Sequence, residues 1–134
     1  MTMRVMLDTN ILISALVFKS ETMNSIIKAL AEKFSLVLCS YVINELHETV
    51  NSKFCSKADD IERFLAELPF EYVYTPHNLP PHNLFSIRDG DDEKVLYSAI
   101  VADVDILITG DKDFYDVDIE RPEVLSPADF LKRY

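Results

Sequence analysis

Glycine is almost absent, since only Gly90 and Gly110 occur in 134 residues. Loops that cradle phosphates, of the Walker or the dinucleotide type, need several glycines in one turn, so nucleotide-loop chemistry is excluded. Histidine is scarce and scattered at His47, His77 and His82, and His47 lacks the second histidine four residues on that a zinc helix requires. The two cysteines, Cys39 and Cys55, allow one bridge at most. Both fall in segments that read as buried or helical, so reduced thiols are expected. No apolar run approaches the roughly 20 residues that span a bilayer. The N-terminus meets Asp8 too early for the apolar stretch of a signal peptide, and no small-residue cleavage site follows. A soluble, cytoplasmic protein with no membrane association is expected. Basic residues are also in short supply, 13 against 23 acidic ones, for a net charge of −10.

What is present is an ordinary apolar fraction of 49%. A chain this long can bury about two-thirds of the surface its unfolded form exposes, enough for one core without a metal or disulfide staple. One domain over residues 1–134 is therefore expected, with no repeat, linker or low-complexity tract. The only breaker-rich stretch runs from Pro76 to Gly90.

Met3 to Leu7 is a short apolar run ending in an acid, which reads as a strand buried on both faces. Helical spacing follows over Ile11 to Phe18 and Thr22 to Lys33, then a second strand over Leu36 to Cys39. Ser40 reads as the cap of a helix with Val42, Ile43, Leu46 and Val50 on its apolar face, and Lys57 to Leu68 as a further helix. Phe70 to Tyr74 reads as the third strand, and Asp91 as the cap of a helix reaching Val104. Asp105 to Thr109 and Val124-Leu125 complete the strands, and Ser126-Pro127-Ala128-Asp129 opens a last helix. Strands alternating with helices predict an α/β three-layer sandwich, with a mostly parallel sheet of about five strands flanked by helices.

Acidic residues are concentrated within this pattern. Residues 86–120 hold 11 of the 23 acids and only three basic residues, Arg88, Lys94 and Lys112. Acids favour turns and helix N-termini, so their placement in the fold decides their meaning. Asp8 ends the first strand and Asp111 follows the fourth, which puts both at the carboxyl edge of the sheet, where open α/β folds place their sites. Asp92 begins the helix leading into the fourth strand, and Glu45 lies one turn into the helix after the second; both helices start at that same rim. Two carboxylates about 5 Å apart repel by roughly 3 kcal/mol at an effective dielectric near 20. Four left unneutralised would exceed the net stability of about 5–15 kcal/mol typical of a domain, so protons or a cation are expected. Oxygen-only ligands suit Mg²⁺ or Mn²⁺, one or two ions. Such ions activate water for attack on phosphorus and neutralise the charge that builds there, which is phosphodiester hydrolysis chemistry.

The segments Val5 to Leu16, Ser40 to Leu46, Arg88 to Leu96, Leu107 to Phe114 and Leu125 to Leu131 together resemble, in order, the motifs of PIN-domain ribonucleases. Gly90 stands where relatives often have proline. The resemblance implies a metal-dependent endoribonuclease, most similar to toxin components of toxin–antitoxin pairs. It implies that Asp8, Glu45, Asp92 and Asp111 bind metal with Asp113 as an auxiliary, and that Asn10 and Thr109 orient them. It further implies a small antitoxin partner and a homodimer.

The substrate would be single-stranded or structured RNA, and Lys53, Lys57, Arg63 and Arg88 are the candidate phosphate contacts. Two other classes fit less well. A receiver-type phosphoacceptor domain would need an acid pair after the first strand and an acceptor Asp after the third, but Asp8 is followed by Thr9 and the third strand ends at Thr75-Pro76. A haloacid-type phosphatase would need an acid where Asn10 stands. A PIN fold without catalysis, serving as a binding module, is the remaining alternative.

Overall fold

The computed structural model describes residues 2–77, 90–115, 117 and 119–134, and of residues 90–92 only the backbone. Its elements run β1 (Arg4–Leu7), α1 (Thr9–Leu16), α2 (Glu21–Lys33), β2 (Ser35–Cys39), α3 (Ser40–Lys53), α4 (Ala58–Glu67), β3 (Glu71–Val73), α5 (Gly90–Val101), β4 (Ile106–Ile108), β5 (Glu123–Leu125) and α6 (Pro127–Arg133). The five strands form one sheet in the order β3-β2-β1-β4-β5, and every pairing is parallel. The connections run one way across the sheet from β1 to β3 and the other way from β3 to β5; with the right-handed crossovers that parallel strands adopt, this reversal puts helices on both faces of the sheet.

Coverage on both faces explains why the central strands are continuously apolar rather than alternating. Val5, Met6 and Leu7 of β1, Val37 and Leu38 of β2, and Leu107 and Ile108 of β4 have no solvent exposure. The helices add Leu12, Ile26, Leu30, Leu46 and Leu96 to the same core. Among the described residues, no helix is long and apolar enough to cross a membrane. Both cysteines are free, Cys39 in the core and Cys55 at the surface.

Helix α1 ends at Leu16 and α5 at Val101, short of the expected Phe18 and Val104, and three helix starts also depart from expectation. Ser40 is the first residue of α3 rather than its cap; Cys39 takes the cap position and makes no side-chain bond there. The Ser40 hydroxyl instead accepts the amide of Thr75 at 2.9 Å, a tertiary bond that ties the chain beyond β3 to the start of α3. Asp91 falls inside α5, which begins at Gly90; an acid there still meets the positive end of the helix dipole. The helix expected from Lys57 starts at Ala58, after a 3-10 turn over Cys55–Lys57. Ser126 does cap α6, accepting the amide of Asp129 with Pro127 at the first turn.

Candidate active site

The direction of strand order reverses between β1 and β4, so the crevice beyond their carboxyl ends is the topological switch point of the sheet. The parallel ladder runs one step past each strand. The Asp8 amide donates to the Ile108 carbonyl at 3.1 Å, and the Thr109 amide to the Leu125 carbonyl at 3.0 Å. This register sets Asp8 beside Thr109, whose hydroxyl donates to Asp8 Oδ2 at 2.9 Å. The same hydroxyl accepts the Asp111 amide at 3.1 Å. Asp8 Oδ1 accepts the Thr9 amide at 2.7 Å as the N-cap of α1. Both carboxylate oxygens are thereby held, and each keeps lone pairs for a further partner.

Asp8 is only 4% exposed. Burial raises its pKa above the ordinary 3.8; the bonds from Thr109 and Thr9 pull it down, and the charges of Glu45 and Asp111 push it further up. The native state therefore keeps this proton to higher pH than the unfolded chain does. Stability from the protonated carboxyl is complete below about pH 4 and is lost as pH rises through the raised native pKa. Without divalent cations, the urea midpoint of the wild type is expected to decline over that window relative to Asp8→Asn. Parallel midpoint curves for the two proteins would contradict it.

A cleft of about 390 Å³ opens over Asp8 and is lined by Thr9, Asn10, Ile13, Tyr41, Glu45, Thr49, Lys53, Phe54, Val95 and Asp111. Glu45 arrives from α3, where the Tyr41 hydroxyl one turn earlier donates to Glu45 Oε2 at 3.1 Å. The Asp111 side chain accepts the amide of Asp113 at 2.9 Å across a 3-10 turn. The structure thus brings three of the four expected acids to one cavity. Asp92 lies in the first turn of α5, three residues before the cleft-lining Val95; its side chain is outside the described residues.

Among the described residues, no three acids, histidines or cysteines are gathered closely enough to hold an ion. The donor chemistry nevertheless fits a hard cation, because all three acids are oxygen ligands facing one space. The Thr9 hydroxyl, buried beside them in the same cleft, has no hydrogen-bond partner among the described residues. A buried hydroxyl of that kind is open to water or a bound group.

The remaining expected residues are distributed unevenly. Thr109 holds Asp8 as described. Asn10 is exposed and lines the cleft. The Asp113 amide donates to the capping side chain of Asp111, and the Asp113 side chain is not part of the cleft lining. Among the described residues, Lys53 is the only candidate phosphate contact that lines the cleft. Lys57 lies in the 3-10 turn after α3. Arg63 pairs with Asp60 at 3.7 Å, both exposed, and so belongs to the solvated face of α4. Arg88 lies outside the described residues.

Three supporting residues were not anticipated. Tyr41 orients Glu45, and the Lys94 ammonium lies 5.1 Å from the centre of the Tyr41 ring. The Tyr115 hydroxyl donates to the Thr109 carbonyl at 2.8 Å. Burial and the nearby charges of Asp129 and Asp111 raise its pKa, which keeps it a donor. The four-residue spacing of Tyr41 and Glu45 was the one available signal.

The family profile of the PIN domain matches residues 4–113, a span that includes Asp8, Glu45, Asp92 and Asp111. The chain belongs to the PIN domain family. Several solved structures share its PIN domain fold. A chain of VapBC2 from Rickettsia felis, crystallised bound to a DNA fragment from their promoter, superposes with a TM-score of 0.71 at 19% identity, covering 92% of this chain and 98% of that one. DNA-bound VapBC from Salmonella typhimurium gives 0.69 at 14% identity, over 94% and 99%. FitAcB from Neisseria gonorrhoeae gives 0.65 at 17% identity, over 92% and 98%. Comparison with curated proteins finds no match.

Proposed function

We propose that this PIN domain is an endoribonuclease dependent on Mg²⁺ or Mn²⁺, acting as the toxin of a toxin–antitoxin pair. The observation that carries the proposal is the convergence of Asp8, Glu45 and Asp111 on one cleft at the switch point, with Asp8 buried. Asp92 is the fourth ligand of the proposed set, and Asp113 its auxiliary. A divalent cation, when bound there, supplies positive charge to a phosphodiester and acidity to water.

The chain's own residues provide the rest. Thr109 and the Thr9 amide fix the Asp8 carboxylate in one orientation, and Tyr41 does the same for Glu45. Holding charged ligands in place before the substrate arrives spares their reorganisation during the reaction. Burial at Asp8 excludes competing water and strengthens its attraction for a cation. Lys53 supplies positive charge at the other end of the cleft. A small antitoxin partner, a homodimer and a cytoplasmic address belong to the same proposal. The likeness of the fold to chains of VapBC and FitAcB assemblies supports a protein partner.

The test is incubation of purified protein with unpaired RNA in Mn²⁺, in Mg²⁺ and in a chelator. Cutting in either metal and none in the chelator is expected. Cutting that persists in the chelator contradicts the metal requirement, and no cutting under any condition favours the silent binding module.

A further inference from the structure

Four residues of α3 that line the cleft, Tyr41, Glu45, Thr49 and Lys53, follow one another at intervals of four. They form one stripe along the helix, so the cleft follows the axis of α3. At 1.5 Å per residue, Lys53 stands about 12 Å beyond Glu45. The cleft therefore changes character along its length, from carboxylates at the strand ends to a lysine at the end of α3.

The lysine end is also aromatic. Phe54 lines the cleft next to Lys53. Phe18, just past the end of α1, meets Phe54 nearly perpendicular, with ring centres 5.6 Å apart. Phe18 is 66% exposed, so its ring gains little from burial in this chain. Among the described residues, Lys53 has no carboxylate partner. A half-buried ring, Phe54, with the exposed ring of Phe18 against it and a cation without a carboxylate partner alongside, continuous with an acidic cleft, suits a ligand that carries both a flat ring and a phosphate.

We infer that Phe54, Phe18 and Lys53 form a subsite for an unpaired nucleotide of the substrate strand, next to the nucleotide whose phosphate lies at the acids. The base stacks on the aromatic pair and its phosphate meets Lys53. This rests on the nuclease reading of the acidic end and adds to it the side chains that hold the neighbouring base. A base stacked on these rings has to leave any helix, so the site takes single strands and rejects duplexes.

The test is fluorescence anisotropy with a fluorescein-labelled oligouridylate in Ca²⁺, against the same strand paired as a duplex. Phe54→Ala is expected to weaken single-strand binding roughly tenfold and Phe54→Trp to restore it. Phe18→Ala, at an exposed ring, is expected to weaken it severalfold without affecting the fold. Lys53→Ala is expected to lower the slope of log affinity against log salt by about 0.7. Duplex binding weaker than single-strand binding, and insensitive to both phenylalanines, completes the expected result. Absence of single-strand binding in the wild type overturns the inference. So does unchanged affinity in Phe54→Ala and Phe18→Ala, which assigns the rings to a protein partner instead. RNA cleavage that survives intact in those variants overturns the subsite and leaves the nuclease standing; ring-dependent binding without any cleavage does the reverse.

Discussion

Asp8→Asn is expected to lower metal-dependent RNA cleavage about 10³-fold while leaving the protein at least as stable as the wild type near neutral pH. The substitution keeps the shape of the side chain and an acceptor for the Thr9 amide. It removes one negative charge from a buried position facing Glu45 and Asp111. Withdrawing a buried carboxylate from a bound cation costs about 4 kcal/mol, which is the 10³-fold in rate. Relief of repulsion and of charge burial acts in the opposite direction on stability. Cleavage assays and thermal melts on one preparation check both halves. A variant that cuts like the wild type places the activity elsewhere.

Leu7→Ala, one residue earlier, is expected to give the opposite signature. Leu7 has no solvent exposure and lies in β1 between β2 and β4. Deleting its branched end leaves a cavity and lowers stability by about 3 kcal/mol. For a domain of this size that lowers Tm by roughly 10 °C. Cleavage per folded molecule is expected to stay near that of the wild type at low temperature, because the strand ladder still delivers Asp8 to Thr109. A melting temperature unchanged by Leu7→Ala contradicts the close packing of the sheet. The pair separates what the strand does for the fold from what its last position does for chemistry.

The parallel sheet was legible because its central strands are buried on both faces, and unbroken apolar runs as short as Val5-Met6-Leu7 suit a strand in that setting. Once the strands are parallel, acids at the ends of β1 and β4 must share a rim, so Asp8 and Asp111 were locatable from strand ends alone. Glu45 followed from the start of α3 at that rim. Helix caps were less legible. The Ser40 hydroxyl can serve its own helix or a distant amide, and the bond to Thr75 depends on where β3 ends in space. Nor does charge carry depth: Lys53, Lys57 and Arg63 read alike in sequence, yet only Lys53 lines the cleft. Phe18 read as helical because its spacing matches α1. The helix stops at Leu16, and Lys19 adopts a positive φ of 53°, which leaves the ring beyond the core.

The most direct measurement is anomalous diffraction from crystals of the protein grown with Mn²⁺, collected near the manganese absorption edge. The expected result is a peak among the carboxylates of Asp8, Glu45 and Asp111 that disappears from Asp8→Asn crystals grown in the same way. No peak in that cleft at saturating Mn²⁺, or a peak equally strong without the Asp8 carboxylate, would contradict a metal-dependent site.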